Sequence, residues 1–330
     1  MARHADPAGL EGVLVVAKPA GPTSHDVVAL VRRLSGTRRI GHGGTLDPFA
    51  AGVLPLFLGG ATRLVEYHLG DRKRYRATVC FAASSTTDDL DGELTPVAGP
   101  VLDSAAVSNA LAGFRGEISQ RPPAYSAIQV GGRRAYALAR EGDPQVLPER
   151  VVTIHELELV AWNADDPARP IAIVDVACSA GTYVRALARD LGAAVGSAAY
   201  LGALTRTASG PFVLQDAVTL EQVRTQAVDG PAGLVPLLLP PDAGLDAIPS
   251  ISLTDAEIRD AAMGRFVRPE AGVAKLPEDA PLRLLDGDGR IVGIGVLDGR
   301  RIAPSKMLRG THPDMVMPSP ADRATDAGGG

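Results

Sequence analysis

Apolar and polar positions follow two recognisable periods along the chain. Val27, Val28, Val31 and Leu34 keep helical spacing behind Thr23 and Ser24, either of which can cap, and the segment stops near Gly36. A helix is predicted there. Tyr75, Ala77, Val79 and Phe81 share one side of a two-residue period, with Arg74, Arg76 and Thr78 on the other. That pattern predicts a half-buried strand. Val151–Val160 and Ile171–Ala177 also read as strands, and Gly181-Thr182 turns into a helix carrying Val184, Leu187 and Leu191 on one face. Between the first helix and the first strand lies a Gly-rich segment, Gly41–Leu64. Strands and helices alternate without a regular βαβ repeat, which predicts an α+β fold rather than a doubly wound one.

A second unit begins after the proline-rich stretch Leu239–Pro249. Thr254 and Glu257 stand three apart, the spacing of a capping box, ahead of a short helix that stops at Gly264. Leu282–Leu308 then holds short apolar runs broken by Asp-Gly turns, a strong hairpin signal. The expected organisation is a tail over 1–10, a first domain over 11–248, a β-rich second domain over 249–311 and a second tail over 312–330.

The 330 residues, 45% hydrophobic and 22% charged, argue against wholesale disorder and coiled coil. No apolar run approaches the roughly 18 residues of a membrane span. The first residues, MARHADPAGLEG, lack the apolar stretch of a secretory signal. Two distant cysteines, Cys80 and Cys178, offer neither a disulfide framework nor metal-ligand spacing, so a reducing cytoplasm is expected. Net charge is −5, yet Val31–Cys80 carries nine basic residues against three acidic ones. Phe81–Ala110 is purely acidic. Such segregation can steer a polyanion to one face.

The loop Gly41–Pro48 has three glycines within four positions, and Pro48 biases Asp47 towards an extended backbone. It lacks the Gly-Lys-Ser/Thr of a phosphate loop, and the chain has no G-x-S-x-G nucleophile. A plain turn with Asp47 capping a following helix is the competing reading. Arg185 falls in the first turn of its helix, where the dipole disfavours a cation, so a carboxylate partner is expected. Such a partner would be held ionised below the ~3.9 reference. Tyr75 points inward from its strand. Taken singly, these signals leave a structural role open for each residue.

Together the segments resemble the bacterial TruB family of tRNA pseudouridine-55 synthases. The resemblance runs from Gly12 to about Leu308. It includes VLVVAKPAGPTSHDVV (Val13–Val28), the long signature Gly41–Leu64, DRKRYRATV (Asp71–Val79) and DDLDGEL (Asp88–Leu94). It continues through QRPPAYSAIQVGGRRAYALAR (Gln120–Arg140), CSAGTYVRALARDLG (Cys178–Gly192) and LGALTRTASGPF (Leu201–Phe212). The tail unit is similar to a PUA domain, a small RNA-binding β-barrel.

The resemblance implies a pseudouridine-synthase core around a mixed, largely antiparallel sheet. It implies isomerisation of a uridine in the T-arm loop of tRNA, with no metal, nucleotide or redox cofactor. By motif position Asp47 is the nucleophile, Tyr75 stacks on the flipped base and Arg185 pairs with Asp47. His42 fills the space left by the extruded nucleotide or stacks beside it, and Tyr183 and Leu204 line the uracil pocket. Lys18, Asp89 and Arg206 belong to matching motifs and are placed among the substrate-binding residues. The partner implied is the tRNA T-arm stem-loop, with no membrane, no obligate protein partner and a monomeric state. Gly43, Gln129 and Thr205 depart from the usual pattern. The alternatives are a non-catalytic RNA-binding or tRNA-folding module, a nucleoside glycosidase, and a synthase with another RNA target.

Overall fold

The computed structural model describes residues 9–269 and 276–308. The expected tails over 1–8 and 312–330 lie outside these residues. Leu10, assigned above to the first tail, is already engaged. Its N–H donates to Thr37 Oγ1 at 3.1 Å and its side chain packs against the core beside Leu34 and Ile40.

In chain order the strands are β1 (Gly12–Lys18), β2 (Ile40–His42), β3 (Ala51–Leu58), β4 (Lys73–Phe81), β5 (Ala83–Ser85) and β6 (Leu94–Pro96). β7 (Gly116–Gln120), β8 (Gln129–Val130), β9 (Arg133–Arg134), β10 (Arg150–Asn163), β11 (Ile171–Cys178) and β12 (Ala199–Ser209) follow. β13 (Phe212–Val213) and β14 (Val218–Thr219) close the first unit; β15 (Ser250–Ser252), β16 (Pro281–Leu285), β17 (Ile291–Asp298) and β18 (Arg301–Met307) form the second. The helices are α1 (Ser24–Ser35), α2 (Glu66–Leu69), α3 (Ser104–Ala112), α4 (Ala135–Arg140), α5 (Val184–Ala194), α6 (Leu220–Gln226) and α7 (Asp255–Ala262).

One mixed sheet of ten strands organises the first unit, in the order β14-β1-β3-β12-β4-β11-β10-β7, with β13 on β12 and β2 on β3. Only β1 with β14 and β3 with β12 run parallel. The sheet is therefore largely antiparallel, as expected. Helix α1 starts where its sequence says it should. Thr23 accepts from the Asp26 N–H, Asp26 accepts from the Thr23 N–H, and Gly36 ends the helix at φ 66°. Its apolar stripe, Val27, Val28 and Val31, packs on Leu14, Val16, Leu54 and Leu56 of β1 and β3. Helices α3 and α5 bury Val107, Leu111, Leu187 and Leu191 against Val79, Phe81 and Val174.

Strand β3 lies inside the segment read above only as Gly-rich. Its apolar run is buried on both faces, so it shows no alternation. Pro55 at its centre argues against a central strand. It is tolerated because β12 pairs only with Ala51 and Gly52 along that edge, and β2 takes over from Leu56. Gly52 is needed for this approach: at φ 112° a Cβ there would lie 2.2 Å from the Arg206 carbonyl oxygen.

The second unit is a four-stranded sheet, β15-β16-β17-β18, over a core of Ile251, Leu253, Ile258, Leu282, Leu284, Val292 and Ile302. Thr254 and Glu257 form the expected capping box of α7. The barrel-like closure expected above is not found among the described residues. Strand β15 pairs with β16, and the outer edge of β18 meets only an isolated bridge from Val267 to Ile302. The two units share a core in which Leu64, fully buried, packs with Leu245, Ile291, Ile294 and Leu308. Arg63 donates to the Met307 carbonyl, Lys306 pairs with Glu66, and Arg283 meets Asp242 at 3.0 Å. Among the described residues, no helix is long and apolar enough to cross a membrane.

Leu64 fills this junction completely, so Leu64→Ala should lower unfolding stability by about 2–5 kcal/mol. Urea denaturation followed by tryptophan fluorescence and circular dichroism measures the loss.

Candidate active site

Asp47 sits in the connection between β2 and β3, and almost every residue of that connection is tied down. The Gly44 and Thr45 carbonyls accept from Arg206 Nη2 and Nη1 at 3.0 and 3.4 Å. Leu46 exchanges two hydrogen bonds with Ser24: its N–H donates to Oγ at 2.9 Å and its carbonyl accepts from Oγ at 3.1 Å. The Asp47 carbonyl accepts from Ala50 at 3.1 Å. The Pro48 carbonyl accepts from the Gly21 N–H at 2.8 Å and from Lys18 Nζ at 3.2 Å. A loop held at this density fixes the direction in which the Asp47 carboxylate leaves it. The element that follows is strand β3, so Asp47 caps no helix.

That carboxylate meets Arg185 of α5, with Oδ2 3.0 Å from Nε. The Nε–H is not aimed well enough at the oxygen for a hydrogen bond, so the contact is one of charge. Arg185 is itself fixed from the other side: Nη1 donates to the Thr87 carbonyl at 3.1 Å and Nη2 to the Tyr125 carbonyl at 3.0 Å. Nη1 also lies 3.2 Å from Asp89 Oδ2. Asp89 is buried and held by the Thr87 hydroxyl at 2.5 Å and the Asp91 N–H at 3.0 Å. The side chain of Arg185 is 6% exposed and that of Asp47 37% exposed, so only the carboxylate is reachable from outside.

The pairing does not depress the Asp47 pKa as expected. Burial pushes it up from the ordinary value of 3.8, and Asp89 and Asp91 add repulsion that Arg185 and Lys18 only partly oppose. Those two acidic residues come from a distant loop, which the local sequence around Asp47 does not reveal.

Tyr75 on β4 and Arg206 on β12 are direct cross-strand partners. Burial holds the Tyr75 phenol pKa above its usual range, and the positive charge of the Arg206 guanidinium beside it works the other way. The same guanidinium reaches Val53 O at 2.7 Å and the Asp47 loop. Arg206 thereby couples Tyr75 to that loop. Leu204 lies in the core with Leu46, Tyr75 and Phe49. Tyr183 caps α5, its backbone bracketed by Gln120, whose amide donates to Tyr183 O at 3.1 Å and accepts from Tyr183 N at 2.8 Å. The Arg150 guanidinium stands over the Tyr183 ring at 4.7 Å. His42 begins the loop: its Nδ1 accepts from the Gly44 N–H at 3.3 Å, and burial lowers its pKa. Its ring lies edge-on to His25 at 6.0 Å.

Six of the nine sequence-derived residues therefore fall into two sets, and His42, Tyr183 and Leu204 belong to neither. Asp47, Arg185 and Asp89 form one contact chain, and Tyr75, Arg206 and Lys18 brace the loop that carries Asp47. Lys18 is 1% exposed, and its ammonium donates to the carbonyls of Pro19 and Pro22 as well as Pro48. All three of its donors are used within the protein. Burial lowers its pKa to about 8. Ser24 and Gln120, both buried, were not singled out from the sequence, and no periodicity marks them. The basic excess of Val31–Cys80 is also less available than the composition implies. Arg74 and Arg76 lie on the face of β4 opposite Tyr75 and form bidentate pairs with Glu156 and Asp175. At Gly43 a Cβ would press on the Phe57 ring at 3.3 Å, so the small residue matches tight packing there. Among the described residues, no group of three or more His, Cys, Asp or Glu is placed to hold a metal.

Solved structures share the fold built on this mixed sheet. A Cbf5-Nop10-Gar1 complex aligns with a TM-score of 0.65 at 25% identity, covering 89% of this chain and 83% of that one. An H/ACA RNP bound to a substrate RNA containing 2′-deoxyuridine aligns at 0.66 and 22% identity, covering 91% and 85%. Residues 32–184 match the family model for the TruB family pseudouridylate synthase N-terminal domain. Residues 185–246 match that for the tRNA pseudouridylate synthase B C-terminal domain. The tRNA pseudouridine synthase B of Synechococcus sp. (strain WH7803) is 46% identical over 294 residues, 87% of this chain and 94% of the relative. That of Arthrobacter sp. (strain FB24) is 42% identical over 294 residues, 86% and 92%. The chain belongs to the TruB family of pseudouridylate synthases.

The raised Asp47 pKa fixes a sign for stability. The unfolded chain ionises this carboxyl near ~3.9, the folded chain only at higher pH, so its ionised form disfavours folding at neutral pH. Asp47→Asn should therefore raise the urea midpoint at pH 7. The gain should shrink as pH falls through the folded Asp47 pKa and be gone below about 3.9. Paired urea melts from pH 3 to 8 measure it.

Proposed function

We propose that the protein converts a uridine in the T-arm loop of tRNA, position 55, to pseudouridine, with Asp47 as the reacting carboxylate. The observation that carries this reading is the Asp47–Arg185 contact, in which only the carboxylate is open to a ligand. The family membership and the name borne by the relatives supply the substrate. A uridine stacked in a folded loop hides both C1′ and C5, so the nucleotide must first be turned out, at a cost of a few kcal/mol repaid by contacts in the pocket. Breaking the N-glycosidic bond builds positive charge at C1′, which a carboxylate at that carbon stabilises or traps. Arg185 opposes the burial and acidic neighbours that favour the protonated acid, and so keeps Asp47 available in its charged form.

In this reading Tyr75 stacks on the everted base, with Arg206 as its cross-strand partner. Leu204 and Tyr183 line the uracil pocket, and neutral His42 takes the place vacated in the loop. Asp89 belongs to the substrate site through Arg185. Lys18 and Arg206 act on the substrate through the loop they brace, because their bonds go to backbone carbonyls, those of Pro48, Gly44 and Thr45 in the loop among them. The chemistry needs no metal or redox cofactor, since the uracil detaches, turns and rejoins the same ribose. We assign the catalytic unit to 11–248 and a PUA-like RNA-contacting unit to 249–311, working as a monomer in the cytoplasm.

A tRNA-folding module without catalysis is the second reading, and the intact contact of Asp47 with Arg185 favours the enzyme. Asp47→Asn should abolish tritium release from tRNA labelled at C5 of uridine, with tRNA affinity kept within about threefold, because the carboxylate is spent on the transition state rather than on binding. Release by the variant at a rate comparable with the parent would overturn the assignment. Free uracil as the product would point instead to a glycosidase.

A further inference from the structure

One turn along α5 from Arg185 lies a second ion pair that the reaction does not use. Arg189 Nη1 is 2.7 Å from Asp88 Oδ2, with the two side chains 33% and 16% exposed. Asp88 is one of three non-glycine residues described with a left-handed backbone, at φ 62°. Adjacent side chains of an extended chain point to opposite sides. The left-handed turn at Asp88 instead brings both Asp88 and Asp89 against α5, where Arg185 and Arg189, four apart, share a face. Asp89 meets the first arginine and Asp88 the second.

The loop is further keyed by its backbone. The Asp88 carbonyl accepts from the Leu201 N–H at 3.0 Å, and the Asp89 carbonyl accepts from Ser85 Oγ at 2.5 Å. This loop supplies two of the partners that fix Arg185, the Thr87 carbonyl and the Asp89 carboxylate. Arg189 also donates to the Arg121 carbonyl at 2.9 Å and to Asp190 at 2.9 Å. It therefore joins α5, the acidic loop and the chain leaving β7. An exposed surface pair with no such role would contribute little.

We propose that Asp88 and Arg189 are positioning residues, whose ion pair locks loop 86–92 onto α5 so that Thr87 and Asp89 hold Arg185 against Asp47. The proposal rests on the reading of Asp47 as the reacting carboxylate. No hydrogen bond or ion pair joins either residue to Asp47, so their effect on it runs through Arg185.

Asp88→Asn removes the charge while keeping a residue that tolerates the left-handed region. Arg189→Met removes the partner. Each should lower kcat for pseudouridine formation about tenfold, as misplacement of a reacting group does. KM should stay within about twofold, because binding contacts are untouched. The double variant should be no slower than the worse single one, since both break the same link. Arg189→Lys should recover part of the loss, and it serves as the test variant if Arg189→Met fails to fold. Single variants with kcat within about twofold of the parent, or effects that multiply in the double variant, overturn the proposal. A 13C-carboxyl NMR titration of Asp47 in the free protein gives a readout independent of RNA. Loosening Arg185 should move the Asp47 midpoint upward in Arg189→Met, and an unmoved midpoint contradicts the positioning role. If the unaltered protein forms no pseudouridine, the functional reading fails, while the titration still decides this one.

Discussion

The site depends on how one carboxylate is partnered and aimed. Asp47 lies where burial and two neighbouring acids favour its protonated form, and Arg185 is the group in contact with it that works in the other direction. An arginine buried to this degree would be unstable without partners of its own. It has them in the Thr87 and Tyr125 carbonyls and the Asp89 carboxylate. The arrangement buries Arg185 behind Asp47 and leaves the Asp47 carboxylate reachable. A strained balance of this kind is common where a group must react rather than merely pair.

Aim comes from the backbone. Ser24 from α1, Lys18 from β1 and Arg206 from β12 each bond a different part of the loop between β2 and β3. Two neighbouring elements and one from far along the chain thus converge on the span 44–48. Because Arg206 is also the cross-strand partner of Tyr75, the Tyr75 ring and the Asp47 loop share one support. The close parallel approach of β3 to β12, permitted by Gly52, puts that support in place. The ten-stranded sheet serves this register.

What was legible in the sequence follows from what is local. Helix α1 announces itself through Thr23, its apolar spacing and Gly36, and β4 through its alternation. Arg185 was conspicuous as a cation in the first turn of a helix, and its partner is a carboxylate. Strand β3 was hidden because both its faces are buried and Pro55 interrupts it, a combination tolerated only because its neighbour changes there. The rise in the Asp47 pKa was hidden because its causes, burial first and then Asp89 and Asp91 brought in from a loop about forty residues along the chain, arise only in the tertiary structure. Ser24, Gln120 and the left-handed turn at Asp88 carry no periodic mark at all; they matter only through the backbone they hold. In the second unit the hairpins were readable from their Asp-Gly turns, whereas closure of a barrel depends on edge pairing that turns do not specify.

The most direct measurement is a crystal structure of the protein with a T-arm stem-loop carrying 5-fluorouridine at the target position. The account requires the fluorinated nucleotide to be everted, its ribose C1′ within about 3.5 Å of an Asp47 carboxylate oxygen, the distance of a near-attack arrangement, with Arg185 still in contact on the far side. A target base left stacked within the loop, or an Asp47 side chain turned away from the ribose, would contradict it.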